Sequence, residues 1–247
     1  MPAALVAEHV SKRFGNTLAL DDVDWTVERG DAVALLGANG AGKTTLLRIC
    51  ATLMRPTRGA VRVLGLDVAA RGAAARRRIA MLGHESWLYP DLSTDENLRF
   101  YARLFGIREA PARIAALTER VGLGGWMHRP VRVLSRGLLQ RAALARVLLH
   151  DPEVLLLDEP FTGLDLDARD WLSGVLRDAR GRGVTLVMST HDVEHGLTLC
   201  SRAVILRGGR IAWDGAVAAG DALDVAARYR DMARGAPARA DVGAAGS

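Results

Sequence analysis

Apolar and polar positions change period several times along the chain. "ALVAEHVSKRF" (4–14) and "VDWTVERG" (23–30) are short apolar or alternating runs. They predict strands, with turns at Gly15-Asn16 and Asp21-Asp22. "DAVALLG" (31–37) predicts a buried strand that runs into a glycine-rich loop. From Lys43, "KTTLLRICATLM" carries Leu46, Leu47, Ile49, Cys50 and Leu53 at helical spacing. "GAVRVLG" (59–65) and "RIAMLGH" (78–84) predict two further strands.

The middle of the chain changes character. Ser93 and Glu96 form an S-x-x-E capping box. Leu98, Tyr101, Ala102 and Phe105 follow on one helical face, and Gly106 ends the helix. "APARIAALTERVGL" predicts a second helix and "SRGLLQRAALARVLLH" a third, with Ser135 as its N-cap. Residues 86–150 therefore form a helical insertion in a strand-and-helix core. Beyond it, "EVLLLDE" and "VTLVMST" predict strands, and "DARDWLSGVLRDARGRG" and "DVEHGLTLC" helices. "RAVILRGGRIAWDG" predicts a hairpin around Gly208-Gly209. The near-continuous runs "VLLL" and "TLVM" suit strands covered on both faces, as in a parallel sheet. The expected organisation is one domain over 1–234 and a disordered small-polar tail over 235–247.

Composition narrows this picture only slightly. The chain has 247 residues, of which 49% are hydrophobic and 25% charged, which fits one globular α/β domain. The net charge is +5, but the arginines are spread along the chain rather than gathered, so no nucleic-acid partner is expected. Cys50 and Cys200 stand alone in apolar contexts and are expected as buried thiols, not zinc ligands. The first residues lack a signal-peptide pattern, and no stretch approaches the ~18 apolar residues of a membrane span. Work at a membrane would require a partner.

Three stretches carry chemistry. "GANGAGKT" (Gly37, Ala38, Asn39, Gly40, Ala41, Gly42, Lys43, Thr44) fits G-x-x-x-x-G-K-[ST] between a predicted strand and a predicted helix. Its glycines let successive N–H groups face one concavity, and the helix N-terminus adds positive potential. Lys43 would reach the β and γ phosphates, and Thr44 would ligate Mg²⁺. "VLLLDEP" places Asp158 and Glu159 at the mouth of an apolar strand, where α/β sheets bind ligands. Asp158 can hold Mg²⁺ directly or through water. Glu159 can accept a proton from a water attacking the γ-phosphate, or orient it. "STHD" brings His191 to the same rim, and Asp192 is read as a helix N-terminal charge. His84 and Glu85, in "MLGHESWLYPDL", are open to readings as metal ligand, acid-base group or turn.

In order and spacing these motifs resemble the nucleotide-binding subunit of ATP-binding cassette (ABC) transporters. Gly37 to Thr45 stand as Walker A, Asp158-Glu159 as Walker B, "GLD" with Asp165 as the D-loop, and His191 as the switch histidine. "LSRGLLQR" (134–141) stands as the signature, with Ser135 and Gly137 kept, Arg136 in place of a glycine and Leu138 in place of a glutamine. The resemblance implies a P-loop fold, with a mostly parallel sheet, an N-terminal antiparallel β subdomain and the helical insertion. It implies ATP with Mg²⁺, a head-to-tail dimer of two copies, and an integral membrane permease as partner. Each Walker A would close against the partner's Ser135, Arg136 and Gly137. Arg136 would add charge near the γ-phosphate or face solvent. Phe14 would stack on adenine or pack in the core. His84 falls at the Q-loop position, where a neutral imidazole could replace glutamine.

Within the family, "LGHESWLYPDLSTDENLRFYARLFG" with the substituted signature is most similar to the ATP-binding subunit of the cytochrome c maturation haem exporter (the CcmA family). That implies cytochrome c biogenesis partners and a peripheral place on the cytoplasmic face of the inner membrane. A drug, lipid or polysaccharide exporter subunit is the alternative. A soluble cassette ATPase on DNA or ribosomes, and a metal hydrolase using His84, Glu85 and His191, are further readings.

Overall fold

Strands buried on both faces decide the architecture. In a computed structural model that describes residues 2–218 and 221–234, β3 (Ala32–Leu36), β7 (Val154–Asp158) and β8 (Thr185–Ser189) are buried at every position. They lie in a six-stranded sheet ordered β10-β9-β3-β8-β7-β6, with β6 (Ile79–Leu82), β9 (Arg202–Arg207) and β10 (Arg210–Ala216). Neighbours from β9 to β6 pair in parallel, and β10 closes one edge antiparallel.

Side chains of this sheet alternate between two cores. Leu155, Leu157, Leu186 and Met188 enter one, and Val154, Leu156 and Val187 enter the other. The first core takes α3 (Thr94–Phe105), α4 (Ala110–Arg120), α5 (Arg136–Leu148), α6 (Leu166–Gly181) and α7 (Val193–Leu199). The helices α3, α4 and α5 intervene between β6 and β7, as the pattern of the middle region predicts. The second core is built on α1 (Lys43–Cys50), whose Leu46, Leu47 and Ile49 lie between the large sheet and a smaller one. The smaller sheet is antiparallel, ordered β2-β1-β4-β5, from β1 (Leu5–Phe14), β2 (Thr17–Val27), β4 (Arg58–Val63) and β5 (Leu66–Asp67). Cys50 and Cys200 are free and buried, and burial pushes both thiols up to about 12.

Two local expectations change, and two helices are added. Asp21-Asp22 is not a turn: β2 runs through it, and Asp22 takes φ 54 where the β1–β2 register shifts. The bulge accommodates a residue pair that reads as a loop. α1 ends at Cys50, not Met54, because the chain turns back on Arg48 O and Thr52 takes φ 64. Two helices escape the apolar pattern. α2 (Val68–Arg76) is started by Asp67, whose carboxylate accepts from Ala69 N and Ala70 N, and buries only Ala75. α8 (Ala222–Arg234) sets Val225 and Ala226 into the first core. The expected tail, 235–247, lies outside the described residues. No described helix is long and apolar enough to cross a membrane.

Candidate functional site

The glycine-rich loop joins β3 to α1 and is pressed against neighbouring backbone. Gly42, at the N-cap of α1, has φ 108, and a Cβ there would lie 2.6 Å from Ala19 O. A Cβ on Gly37 would lie 2.6 Å from Leu206 O. Glycine alone fits both places. Ala38, Asn39 and Gly40 form the exposed crest, Ala41 is buried, and Thr45 is half-buried. Side chains cap α3, α5, α6 and α7, from Ser93, Ser135, Asp165 and Asp192, but none caps α1. Its first N–H groups therefore remain available to an anion.

Lys43 is buried, and its Nζ donates to Gly37 O at 2.7 Å and Ala38 O at 3.3 Å. Burial holds the ammonium below its usual range, against the opposing pull of Glu159 and Asp158. Beside it, Thr44 Oγ1 donates to Asp158 Oδ1 at 3.0 Å, and Ser189 Oγ donates to the same oxygen at 2.7 Å. Ser189 was not singled out from sequence. Its signal is register, since β7 and β8 pair Asp158 with Ser189.

Glu159 follows at φ 53, a costly conformation for a residue with a Cβ. Its N–H donates to Ser189 Oγ at 3.0 Å, which fixes the turn. The carboxylate then meets His191, with Oε2 2.7 Å from Nδ1. His191 itself is 63% exposed. His195 packs edge-on against Phe161 with ring centroids 4.4 Å apart.

A polar pocket of about 180 Å³ opens beside these groups, lined by His84, Arg136, Gln140, Asp158 and Glu159 among others. His84 and Glu85 follow β6 and are exposed. The segment is stapled to α5 by Arg146, which the sequence reading missed. Arg146 Nη2 donates to Met81 O at 3.1 Å and Nε to Ser86 O at 3.0 Å. Its guanidinium sits 5.2 Å from the Trp87 ring and 5.5 Å from the Tyr101 ring. Tyr101 Oη donates to Trp87 O. Burial lowers the Arg146 pKa to about 10. The detectable signal was one arginine in the buried run Ala142–Leu148.

The signature residues begin α5. Ser135 Oγ accepts from Leu138 N at 3.4 Å, and Gly137 has open space where a Cβ would be. Arg136 is exposed, as one of its two readings expects, and its Nη2 donates to Thr162 O, 2.9 Å away in the loop after β7 of the same chain. Asp165 caps α6 by accepting from Ala168 N at 2.8 Å. Phe14 is 46% exposed with the Lys12 ammonium 5.2 Å from its ring centroid, so the core-packing alternative fails. Among the described residues His84, Glu85 and His191 form no metal-ligand cluster. The donors that converge within 4.8 Å are His9, Asp22 and Asp24, all exposed on β1 and β2.

The sequence profile of a family described as ABC transporter matches residues 20–162. The ABC transporter ATP-binding protein NatA of Bacillus subtilis is 38% identical over 202 residues, covering 81% of this chain and 82% of that protein. A daunorubicin resistance ATP-binding protein of Streptomyces coeruleorubidus is 39% identical over 233 residues, covering 91% and 74%. A solved structure described as the ATP binding subunit of an ABC transporter superposes with a TM-score of 0.81 at 31% identity, covering 94% of this chain and 95% of that one.

Proposed function

This chain belongs to the ABC transporter family, and we propose that it binds and hydrolyses ATP to drive a separate membrane permease. The observation that supports this best is the meeting of Lys43, the uncapped start of α1, and the Thr44–Asp158–Ser189 oxygens at one rim of the large sheet. The loop N–H groups and Lys43 take the phosphates. Thr44 and Asp158 supply the hard oxygen donors that suit Mg²⁺. When bound there, Mg²⁺ neutralises charge on the phosphate oxygens. Glu159, held by His191, sits where it can orient or deprotonate the attacking water.

Ser135 and Gly137, at the exposed start of α5, then serve the nucleotide of a second copy in a head-to-tail dimer, with the Asp165 loops between the two. The exposed Phe14 ring takes the adenine. His84 reports nucleotide state from the pocket that it shares with Asp158 and Glu159. His84→Gln with unchanged ATPase activity, pH profile and permease coupling would remove that role.

For cargo, the resistance name of the Streptomyces relative favours an exporter of drug-like compounds. The haem reading, with cytochrome c biogenesis partners and an inner-membrane location, rests on the "GHES" stretch and the substituted signature alone. Affinity purification from native membranes separates the two by the permease recovered. Recovery of ribosomes and no integral protein would overturn the transporter reading. Glu159→Gln tests the chemistry: it should bind ATP, stop turning over and accumulate as an ATP-bound dimer. Turnover at the wild-type rate would remove Glu159 from catalysis.

A further inference from the structure

Arg136 stands at the first position of α5, and Gln140 one helical turn later on the same face. Both reach the loop that follows Glu159. Gln140 Nε2 donates to Pro160 O at 3.1 Å, and Arg136 Nη2 donates to Thr162 O at 2.9 Å. The guanidinium lies close against the backbone of this loop. A Cβ at Gly163, which has φ 71, would fall 2.2 Å from Arg136 Cζ. A glycine at 163 thus allows both the turn and the close approach of the arginine.

The loop behind that contact is internally tied. Thr162 N donates to Glu159 O at 3.2 Å and Leu164 N to Phe161 O at 3.2 Å, and the next residue, Asp165, caps α6. A pull on the Thr162 carbonyl is therefore carried back to Glu159 and forward to Asp165. The same guanidinium lines the pocket that holds Asp158 and Glu159.

We propose that Arg136, assisted by Gln140, is a positioning residue: a latch within one subunit that ties the signature helix α5 to the loop carrying Glu159 and Asp165. The inference rests on the ATPase reading above, and it explains what a large cation does at a position where the family pattern has glycine. A glycine there has no side chain to reach Thr162. Movement of the helical arm shifts Glu159 directly, without waiting for a contact from the second copy. The latch acts on the reacting geometry and not on nucleotide affinity, so its loss is read in kcat and not in KM.

Arg136→Met keeps the stem and removes the donors, and Arg136→Lys restores one donor without the flat fork. Steady-state ATPase assays on the full chain should show kcat about tenfold lower in Arg136→Met with KM for ATP within about twofold, and partial recovery in Arg136→Lys. Hydrogen exchange on the nucleotide-free protein should show the Thr162 and Leu164 amides about tenfold faster in Arg136→Met, with β7 and α6 amides unchanged. Raised KM at unchanged kcat would overturn the latch in favour of a contact to nucleotide. Wild-type kinetics and exchange, or faster exchange throughout the chain, would also overturn it. A wild-type protein without ATPase activity would sink the ATPase reading, and the exchange comparison would still decide the contact.

Discussion

Lys43 is an ammonium withdrawn from water that donates to two carbonyls of its own loop, with the Glu159 and Asp158 carboxylates acting on it from farther off. A buried cation with no counter-ion in direct contact costs stability, and an incoming polyphosphate offsets that cost. Lys43→Met removes the charge and keeps much of the volume. Calorimetric titration should show ATP affinity reduced about 100-fold, the loss of one or two charge-assisted hydrogen bonds at about 1.5–3 kcal/mol each. The melting temperature of the ATP-free protein should stay equal or rise; a fall of several degrees would mean that Lys43 serves the fold. The phosphate loop could be read from sequence because its chemistry is contiguous: eight successive residues supply the turn, the nest and the cation. Ser189, Arg146 and the strained Glu159 backbone could not. Ser189 acts through strand register, Arg146 through carbonyls distant in sequence, and neither leaves a local motif.

At the scale of elements, α3 was legible at both ends because both ends are local chemistry. Ser93 and Glu96 cap it reciprocally, and Gly106 closes it at φ 69. The Asp21-Asp22 turn and the last turn of α1 were misread because a bulge and a backbone reversal are set by neighbouring strands and not by composition. α2 and α8 were missed because each buries few apolar residues. The packing of α5 gives a sharper test than its helicity. Arg146→Met should destabilise the chain by about 2–4 kcal/mol in urea unfolding, since the carbonyls of Met81 and Ser86 lose a charged donor. Ser93→Ala, which breaks only the cap of α3, should cost about 1 kcal/mol. Equal losses in the two variants would mean that the buried guanidinium holds no more than an ordinary helix cap.

For the whole molecule, the apolar runs announced a parallel sheet but not its order, because every strand buried on both faces reads alike. The order β10-β9-β3-β8-β7-β6 puts β3, which feeds the phosphate loop, beside β8 with His191 just beyond it, and β7 with Asp158 next. The helical arm meets this sheet at His150, just beyond α5. Its ring stacks on Phe105 of α3 at 4.0 Å and 7° and its Nε2 lies 3.2 Å from Ile79 O, at the start of β6. Nδ1 is buried with no partner. Burial, with the Arg146 and Arg113 charges, holds the His150 pKa below the usual histidine value, although the Ile79 carbonyl and Asp151 oppose the shift. The unfolded chain, with a pKa of about 6.5, takes up the proton first. His150 therefore contributes stability above about pH 6.5 that is lost as pH falls through its folded pKa. His195, also lowered chiefly by burial, adds with the same sign. Urea unfolding at pH 7.5 and 5.5 should show lower stability at the acid pH. In His150→Phe, which keeps the stack and cannot titrate, that difference should shrink but not vanish. An undiminished pH difference in the variant would show that the junction of arm and sheet does not depend on a neutral His150.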